Sequence, residues 1–432
     1  MNSDSVPSYY RATATAYGAY APLQGRKAAK VVVIGGGYAG LNTALGLVER
    51  GVEDVVLLES RRIGHGASGR NGGFVFAGYS LGEGSLVSKL GAEKAKALFL
   101  STLGGVELIR SRVARYRIPC AAVDEGVIWA NWFRDPEVLK SRQKFLAEKF
   151  GVNWEWIPKD TLRELLRTDR YSDGVWERNA LHLHPLNYAI GLAQAAVCKG
   201  ATIHENSNVI GLRKQGAGWL VRTREGEIEA EHVVLACGGY LAGLEPKIDR
   251  AILPIATYVM VTEPLGARLR ECVNTHAAVY DTRFAFDYYR PLPDTRLLWG
   301  GRISVRDRPP EQVREVLYRD LLKVYPQLDG VRIDYAWSGL MSYARHQMPQ
   351  IGRREPGLWF AQASGGHGVG PTTVAGELLA AAIAKDDTAW QSFSDFDLAP
   401  AHRPFGFGAA QASYWWYQVK DAYKEWRESL AA

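Results

Sequence analysis

Gly35, Gly37 and Gly40 meet the spacing G-x-G-x-x-G. They follow the apolar run Val31, Val32, Val33, Ile34, which reads as a buried parallel strand, and they open a small-residue stretch over 38–48 that reads as a helix. In that setting Gly35 permits a tight turn, Gly37 lets the backbone approach a pyrophosphate, and Gly40 lets helix and strand pack closely. The helix N-terminus then offers unpaired N–H groups and a positive dipole end to the phosphates. A second strand over 55–58 ends at Glu59, about 20 residues beyond the fingerprint, where a carboxylate accepts hydrogen bonds from an adenosine ribose.

The fingerprint alone does not separate a flavin dinucleotide from a nicotinamide one. After Glu59 comes R-R-I-G-H-G-A-S-G-R-N-G-G, residues 61–73, a run of small residues around Ser68, Arg70, Asn71, Gly72 and Gly73 that suits backbone contact along a long planar cofactor. No second G-x-G-x-x-G follows a strand, so a separate site for NAD(P)H has no support.

The elements that must position these groups fill a chain of 432 residues, twice the size of an ordinary domain. Hydrophobic residues make up 47% and charged residues 23%, a globular balance that argues against disorder. The four cysteines, Cys120, Cys198, Cys237 and Cys272, lie far apart without C-x-x-C spacing, which speaks against a disulfide framework or a metal site and for a reducing, cytoplasmic setting. The polar first residues resemble no secretory signal, and no run approaches the roughly 18 apolar residues that span a bilayer. A net charge of +6 is scattered, with no basic stripe to suggest nucleic acid.

Residues 81–115 read as helical and residues 188–199 as a helix, followed by strands near 201–203, 209–213, 219–223, 227–230 and 232–236. Strand-like runs at 258–262, 284–290 and 297–301 suggest an antiparallel sheet, and a helix over 311–324 follows. A βα-like texture returns with a strand at 357–361, a loop at 364–370 and a helix at 372–384. The last stretch places Trp415, Val419, Ala422, Tyr423 and Trp426 on one helical face; the plain reading packs that face on the body, and its rival is peripheral contact with a membrane surface.

With G-G-G-Y-A-G and Glu59, further stretches follow in order: G-x-G-A-S-G-R-N-G-G, H-P-L-N at 184–187, V-L-A-C-G-G at 234–239, T-E-P-L at 262–265, W-G-G-R at 299–302 and S-G-G-H-G-V at 364–369. Together they cover nearly the whole chain and resemble the D-amino acid oxidase-like FAD-dependent oxidoreductases, in particular the branch of gamma-glutamylputrescine oxidase and bacterial L-pipecolate oxidase. The resemblance implies an α/β fold in which a three-segment, Rossmann-type FAD-binding domain (28–100, 171–245, 331–390) is interleaved with a mixed or antiparallel-sheet substrate domain (101–170, 246–330), with a helical extension at 391–432. On that template Gly35, Gly37, Gly40 and Glu59 hold the ADP half, Val209 contacts the adenine side, Ser68 and Arg70 to Gly73 run beside the isoalloxazine, and Gly238 belongs to the V-L-A-C-G-G turn. Gly366, His367, Gly368 and Val369 open the last helix, whose dipole favours negative charge on the reduced ring. His367 reads as structural rather than as a base.

Two departures bear on substrate. Glycine oxidases carry an arginine shortly after W-x-G, where Met341 stands here, and sarcosine oxidases carry a lysine after G-H-G, where Gly370 stands. Residues 337–345 contain no cysteine for a covalent flavin bond, which leaves His65 as the one alternative anchor. A substrate carboxylate must then find Arg302, Arg70 or Arg345, with Arg302 the first choice, and Tyr288 and Tyr289 fall where the family places pocket tyrosines. The implied reaction takes a hydride equivalent from the carbon beside an amine nitrogen to flavin N5, with dioxygen or a quinone as final acceptor. A secondary amino acid such as L-pipecolate is the leading substrate. Rival readings are a gamma-glutamyl amine, a non-catalytic flavin sensor and a nicotinamide-linked reductase.

Overall fold

A computed structural model describes residues 7–284 and 286–430. Most of the polar N-terminal segment read for a signal, Ala285 within the strand expected at 284–290, and residues 431 and 432 lie outside the described residues.

The first sheet is built around the strand Gly25–Ile34, whose Val31, Val32 and Val33 are wholly buried. It pairs in parallel with Val55–Leu58 on one side and with Gly226–Leu235 on the other, Ile34 lying opposite both Leu58 and Leu235. Thr202–His204 and Leu358–Gln362 extend the parallel ladder. The strands expected at 227–230 and 232–236 are one continuous strand, Gly226–Leu235, whose more polar first half pairs with Gly25–Ala29 on one side and the antiparallel Gly218–Arg222 on the other before its apolar second half enters the core.

Helices Tyr38–Glu49, Pro185–Cys198 and Val369–Lys385 pack around this sheet. Their small residues bring backbones together: a Cβ on Gly376 would lie 2.5 Å from the Asn42 Cβ. The buried Arg112 donates to Asn42, Glu49 and Glu377, each at 2.5 Å, and so ties the helix Ala92–Arg115 to two of them. The helix expected over 81–115 is two, Glu83–Leu90 and Ala92–Arg115, broken where Gly91 takes φ +79°.

The second sheet has eight strands, mostly antiparallel, with one parallel pair between Val127–Ala130 and Ala278–Asp281. Its long members, Leu253–Thr262, Leu297–Ser304 and Ile333–Tyr343, are hydrogen-bonded side by side. Two strands not foreseen from the sequence, Gly174–Glu177 and Ile333–Tyr343, fall inside the segments assigned to the nucleotide domain but pair in this sheet, so the chain crosses between the sheets later than those bounds. The reason is visible in the composition: both carry apolar residues that fit either sheet, and only long-range pairing decides.

The C-terminal helix, Arg403–Leu430, lies against the second sheet through Tyr414, Tyr417, Asp421, Glu425 and Glu428. The face carrying Trp415, Val419, Tyr423 and Trp426 is therefore not packed on the body; these side chains are 55–60% exposed.

Gly40 has no room for a side chain, since its Cβ would run into the Gly35 carbonyl oxygen and the Val33 side chain. Gly40→Val should therefore part the strand from the helix and yield soluble protein without the dinucleotide, read as the ratio of visible to ultraviolet absorbance. Undiminished cofactor content would show that the fingerprint does not form the phosphate turn.

Candidate active site

A cavity of about 1250 Å³ runs between the two sheets. It exceeds the roughly 300–1,000 Å³ of an ordinary ligand pocket, leaving space for a dinucleotide and a substrate together.

One end lies over the C-terminal ends of the parallel strands. Gly35 takes φ +114°, and a Cβ there would sit 2.6 Å from the Ala236 carbonyl oxygen. Gly37 caps the helix Tyr38–Glu49, and its Cβ would sit 3.0 Å from Ser68 Oγ. Glu59 is buried at the end of its strand; Oε2 accepts the Gly36 N–H at 2.7 Å and Oε1 accepts the Arg61 N–H at 2.9 Å. Burial raises its carboxyl above the usual range, opposed by these backbone donors. Oε1 also accepts the Ser60 hydroxyl at 3.1 Å, whereas Oε2 has the Gly36 N–H alone and keeps a lone pair to which a ribose hydroxyl can donate. Gly40 lies beneath the surface as a packing residue, and Val209 does not line the cavity; it packs against the apolar cluster of the first sheet. The strand expected at 209–213 begins later, at Gly211, which leaves Val209 in the preceding loop.

The middle of the cavity is walled by glycine-rich backbone. Ser68, Arg70, Asn71 and Gly72 line it from one side, Gly238 from another, and Gly366, His367, Gly368 and Val369 from a third. Asn71 holds its own loop by donating to the Ala67 and Ser68 carbonyls and accepting the Gly73 N–H. Gly73 is set back from the wall, where φ +83° turns the chain against the Leu183 carbonyl.

A residue to which the sequence reading assigned no role fastens this loop. The fully buried Arg290 donates Nε to the Gly72 carbonyl at 2.7 Å and Nη2 to the Leu183 carbonyl at 2.9 Å. Opposite, Ser80 Oγ accepts the Gly366 N–H at 2.9 Å, and the helix Val369–Lys385 points its N-terminus at the cavity. Such a cradle of backbone donors fits the electron-rich edge of a flavin. His367 is half-buried, edge-on against Phe76, its Nδ1 without a partner among the described residues; desolvation and then Arg142 push its pKa down to about 4, so it stays neutral at neutral pH.

Beyond the glycine walls the cavity becomes aromatic. Phe74, Phe76, Trp129, Tyr280, Phe286 and Tyr288 line it, with Phe76 stacked on Tyr280 at 5.6 Å. Tyr288 faces Gly72, whose Cβ would meet its ring at 2.5 Å. Tyr289 points to the other side of the sheet, as strand alternation requires, and stacks on Trp299 with its hydroxyl near that of Tyr325. It is a core residue, which corrects its assignment as a pocket tyrosine.

Arg302 lines the cavity but is not an open fork. Its Nε and Nη2 donate to the two oxygens of the buried Asp320, both at 2.7 Å. Burial works against both charges and the pairing outweighs it: Arg302 is held above, Asp320 below, its usual range. Arg283, on the same wall, is closed in the same way by Asp281 and Asp287. Arg70 and Arg345 also line the cavity and have no acidic partner among the described residues.

Arg142 and Glu83 stand in none of the sequence motifs. Arg142 stacks 3.8 Å over Trp129 and donates to Glu83 at 2.6 Å, and both line the cavity beside His367. Only the i, i+2 spacing of Phe74 and Phe76 behind the glycine loop could have marked the aromatic wall in advance.

Residues 30–382 match the family described as FAD dependent oxidoreductase (DAO). The gamma-glutamylputrescine oxidoreductase of Escherichia coli (strain K12) is 35% identical over 409 residues, 94% of each chain. A probable oxidoreductase, OrdL, of Haemophilus influenzae is 34% identical over 89% of each. Among solved structures, glycine oxidase from Geobacillus kaustophilus superposes with TM-score 0.72 at 22% identity, covering 87% of this chain and 99% of that one, a likeness of fold. The chain therefore belongs to the FAD dependent oxidoreductases and is a flavoenzyme of amines or amino acids.

Proposed function

We propose that the chain oxidises the free amine end of a gamma-glutamyl amine rather than L-pipecolate. The observation that supports this is the closure of Arg302 by Asp320: with Met341 and Gly370 at the positions where relatives place a cation, and with Arg283 and Arg142 closed by their own carboxylates, only Arg70 on the cofactor loop and Arg345 line the cavity without an acidic partner among the described residues. The name of the Escherichia coli relative points the same way. A long substrate instead keeps its carboxylate far from the reacting amine, and Arg345, exposed at the cavity, is the proposed contact for it.

When bound, FAD supplies the acceptor for a hydride equivalent leaving the carbon beside the amine nitrogen. The chain's part is to present that amine without its extra proton, since an ammonium has no lone pair to assist the departure. Phe74, Phe76, Tyr280 and Tyr288 surround it with surface that penalises charge and excludes water. The Tyr280 and Tyr288 hydroxyls are themselves raised above their usual range by burial, so both stay neutral. Dioxygen or a quinone would take the electrons onward, and Arg70 is the cation placed beside the cofactor loop.

Anaerobic mixing with a panel of amines tests the substrate class. Gamma-glutamylputrescine should bleach the oxidised flavin band and L-pipecolate should not; the reverse result would restore the amino-acid reading, with Arg70 as clamp. Arg302→Met should leave kcat/KM on the gamma-glutamyl amine unchanged while lowering Tm. Breaking a buried pair costs about 3–5 kcal/mol, here toward the lower figure because Lys323 still neutralises Asp320. Lost turnover at unchanged Tm would mean that Arg302 touches substrate. Acid precipitation should release the flavin into the supernatant. A yellow pellet would indicate a covalent bond, for which His65, on the cavity wall, is the first residue to replace.

A further inference from the structure

The helix Arg403–Leu430 divides its residues by charge with unusual consistency. Its three acids in the second half face the body. Asp421 accepts the Phe284 N–H, Glu425 pairs with Arg170 and accepts the Trp132 indole N–H, and Glu428 accepts the Arg134 N–H. Lys424 also turns inward, 3.8 Å from Asp135. At about 100° per residue, Phe405, Ala412, Trp415, Trp416, Val419, Tyr423, Trp426 and Leu430 fall within one arc of about 100° on the opposite side. No charged residue interrupts it. Trp416 is 62% exposed, Val419 60% and Leu430 68%. Lys420 and Arg427 border this arc along one edge and have no acidic partner among the described residues.

A second copy of the helix is a poor match for this face. The apolar residues at 412, 416, 419, 423, 426 and 430 alternate by four and three, as in a coiled-coil seam, but the flanking positions that would pair across it carry Lys420 and Arg427 on one side and Trp415, Ala422 and Ser429 on the other. Antiparallel copies would set cation against cation, and parallel copies would offer no acid to either. An anionic surface answers both features. Trp and Tyr rings with a polar edge seat at the boundary between headgroups and acyl chains, and bordering cations meet the phosphates.

We propose that this face docks the protein on an anionic lipid bilayer, lying in the interface without crossing it; no helix among the described residues is long and apolar enough to span a membrane. The same helix forms part of the cavity wall through Phe405, Ala409, Tyr414 and Tyr417. Docking therefore brings the cavity to the phase in which an apolar electron acceptor dissolves.

The test is flotation of the flavin-loaded protein with vesicles of phosphatidylglycerol and phosphatidylcholine in equal parts, against vesicles of phosphatidylcholine alone. Wild type should float with the anionic vesicles and bind the neutral ones about tenfold or more weakly. The double variant Trp416→Glu/Trp426→Glu should lose flotation, and Lys420→Glu/Arg427→Glu should lose the preference for anionic lipid. Neither pair lines the cavity, so flavin content and anaerobic bleaching by amine should match wild type and certify folding. Absence of wild-type flotation, or equal flotation of wild type and the tryptophan variant, overturns the proposal. So does a wild-type dimer in sedimentation equilibrium that the tryptophan variant converts to monomer, since the face would then be a subunit contact.

Discussion

Everything at the cofactor end depends on the absence of a Cβ at Gly40. The helix Tyr38–Glu49 can start directly above the strand Gly25–Ile34 because nothing stands between Gly40 and the Gly35 carbonyl. That approach aims the helix N-terminus over the strand ends, where Gly35, Gly37, Tyr38 and Ala39 line the cavity and the dipole favours a phosphate. From this fixed point the geometry propagates through packed small residues: Gly376 against Asn42 sets the depth of the last helix, whose own N-terminus forms the far wall of the same cavity. Arg112, held by groups from both helices, keeps the two from sliding.

The cofactor end was legible in the sequence because its constraints are local. A tight turn, a close approach and a strand-end carboxylate each demand a residue type at a set distance along the chain, and Gly35, Gly37, Gly40 and Glu59 display all of them. The substrate end is not written that way. Arg302 looked like a free fork because W-G-G-R ends a strand, and nothing in the sequence ties it to Asp320 on a helix 18 residues later. Tyr288 and Tyr289 are adjacent letters with opposite fates, decided by which face of one strand meets the cavity. Arg142 reaches the site only through the pairing of strands contributed by separated parts of the chain.

The wall of the substrate end is a set of satisfied ion pairs rather than a set of open charges. Arg302 and Lys323 with Asp320, Arg283 with Asp281 and Asp287, and Arg142 with Glu83 each set opposite charges against one another. Such pairs cost desolvation and return little net stability. What they supply is shape: guanidinium planes laid on indole rings, as Arg283 on Trp132 and Arg142 on Trp129, make flat rigid surfaces that aliphatic side chains do not. A slot walled in this manner selects by length and planarity. Asp287 is the strained member, raised to about 7 by burial, and it would be the first of these carboxylates to take a proton as pH falls.

The order of strands in the first sheet has a consequence for how the protein is made. Ile34 lies beside Leu235, about 200 residues further along, and Leu235 lies beside Phe360, more distant still. At about 5–20 residues per second, a ribosome releases the central strand roughly 10–40 s before its neighbour exists. During that interval a run of four apolar β-branched residues has only Val55–Leu58 to pair with and an open edge on its other side. Such an edge is a template for the wrong partner, so the yield of folded enzyme should respond to synthesis rate and to the supply of chaperones more than its final stability would suggest.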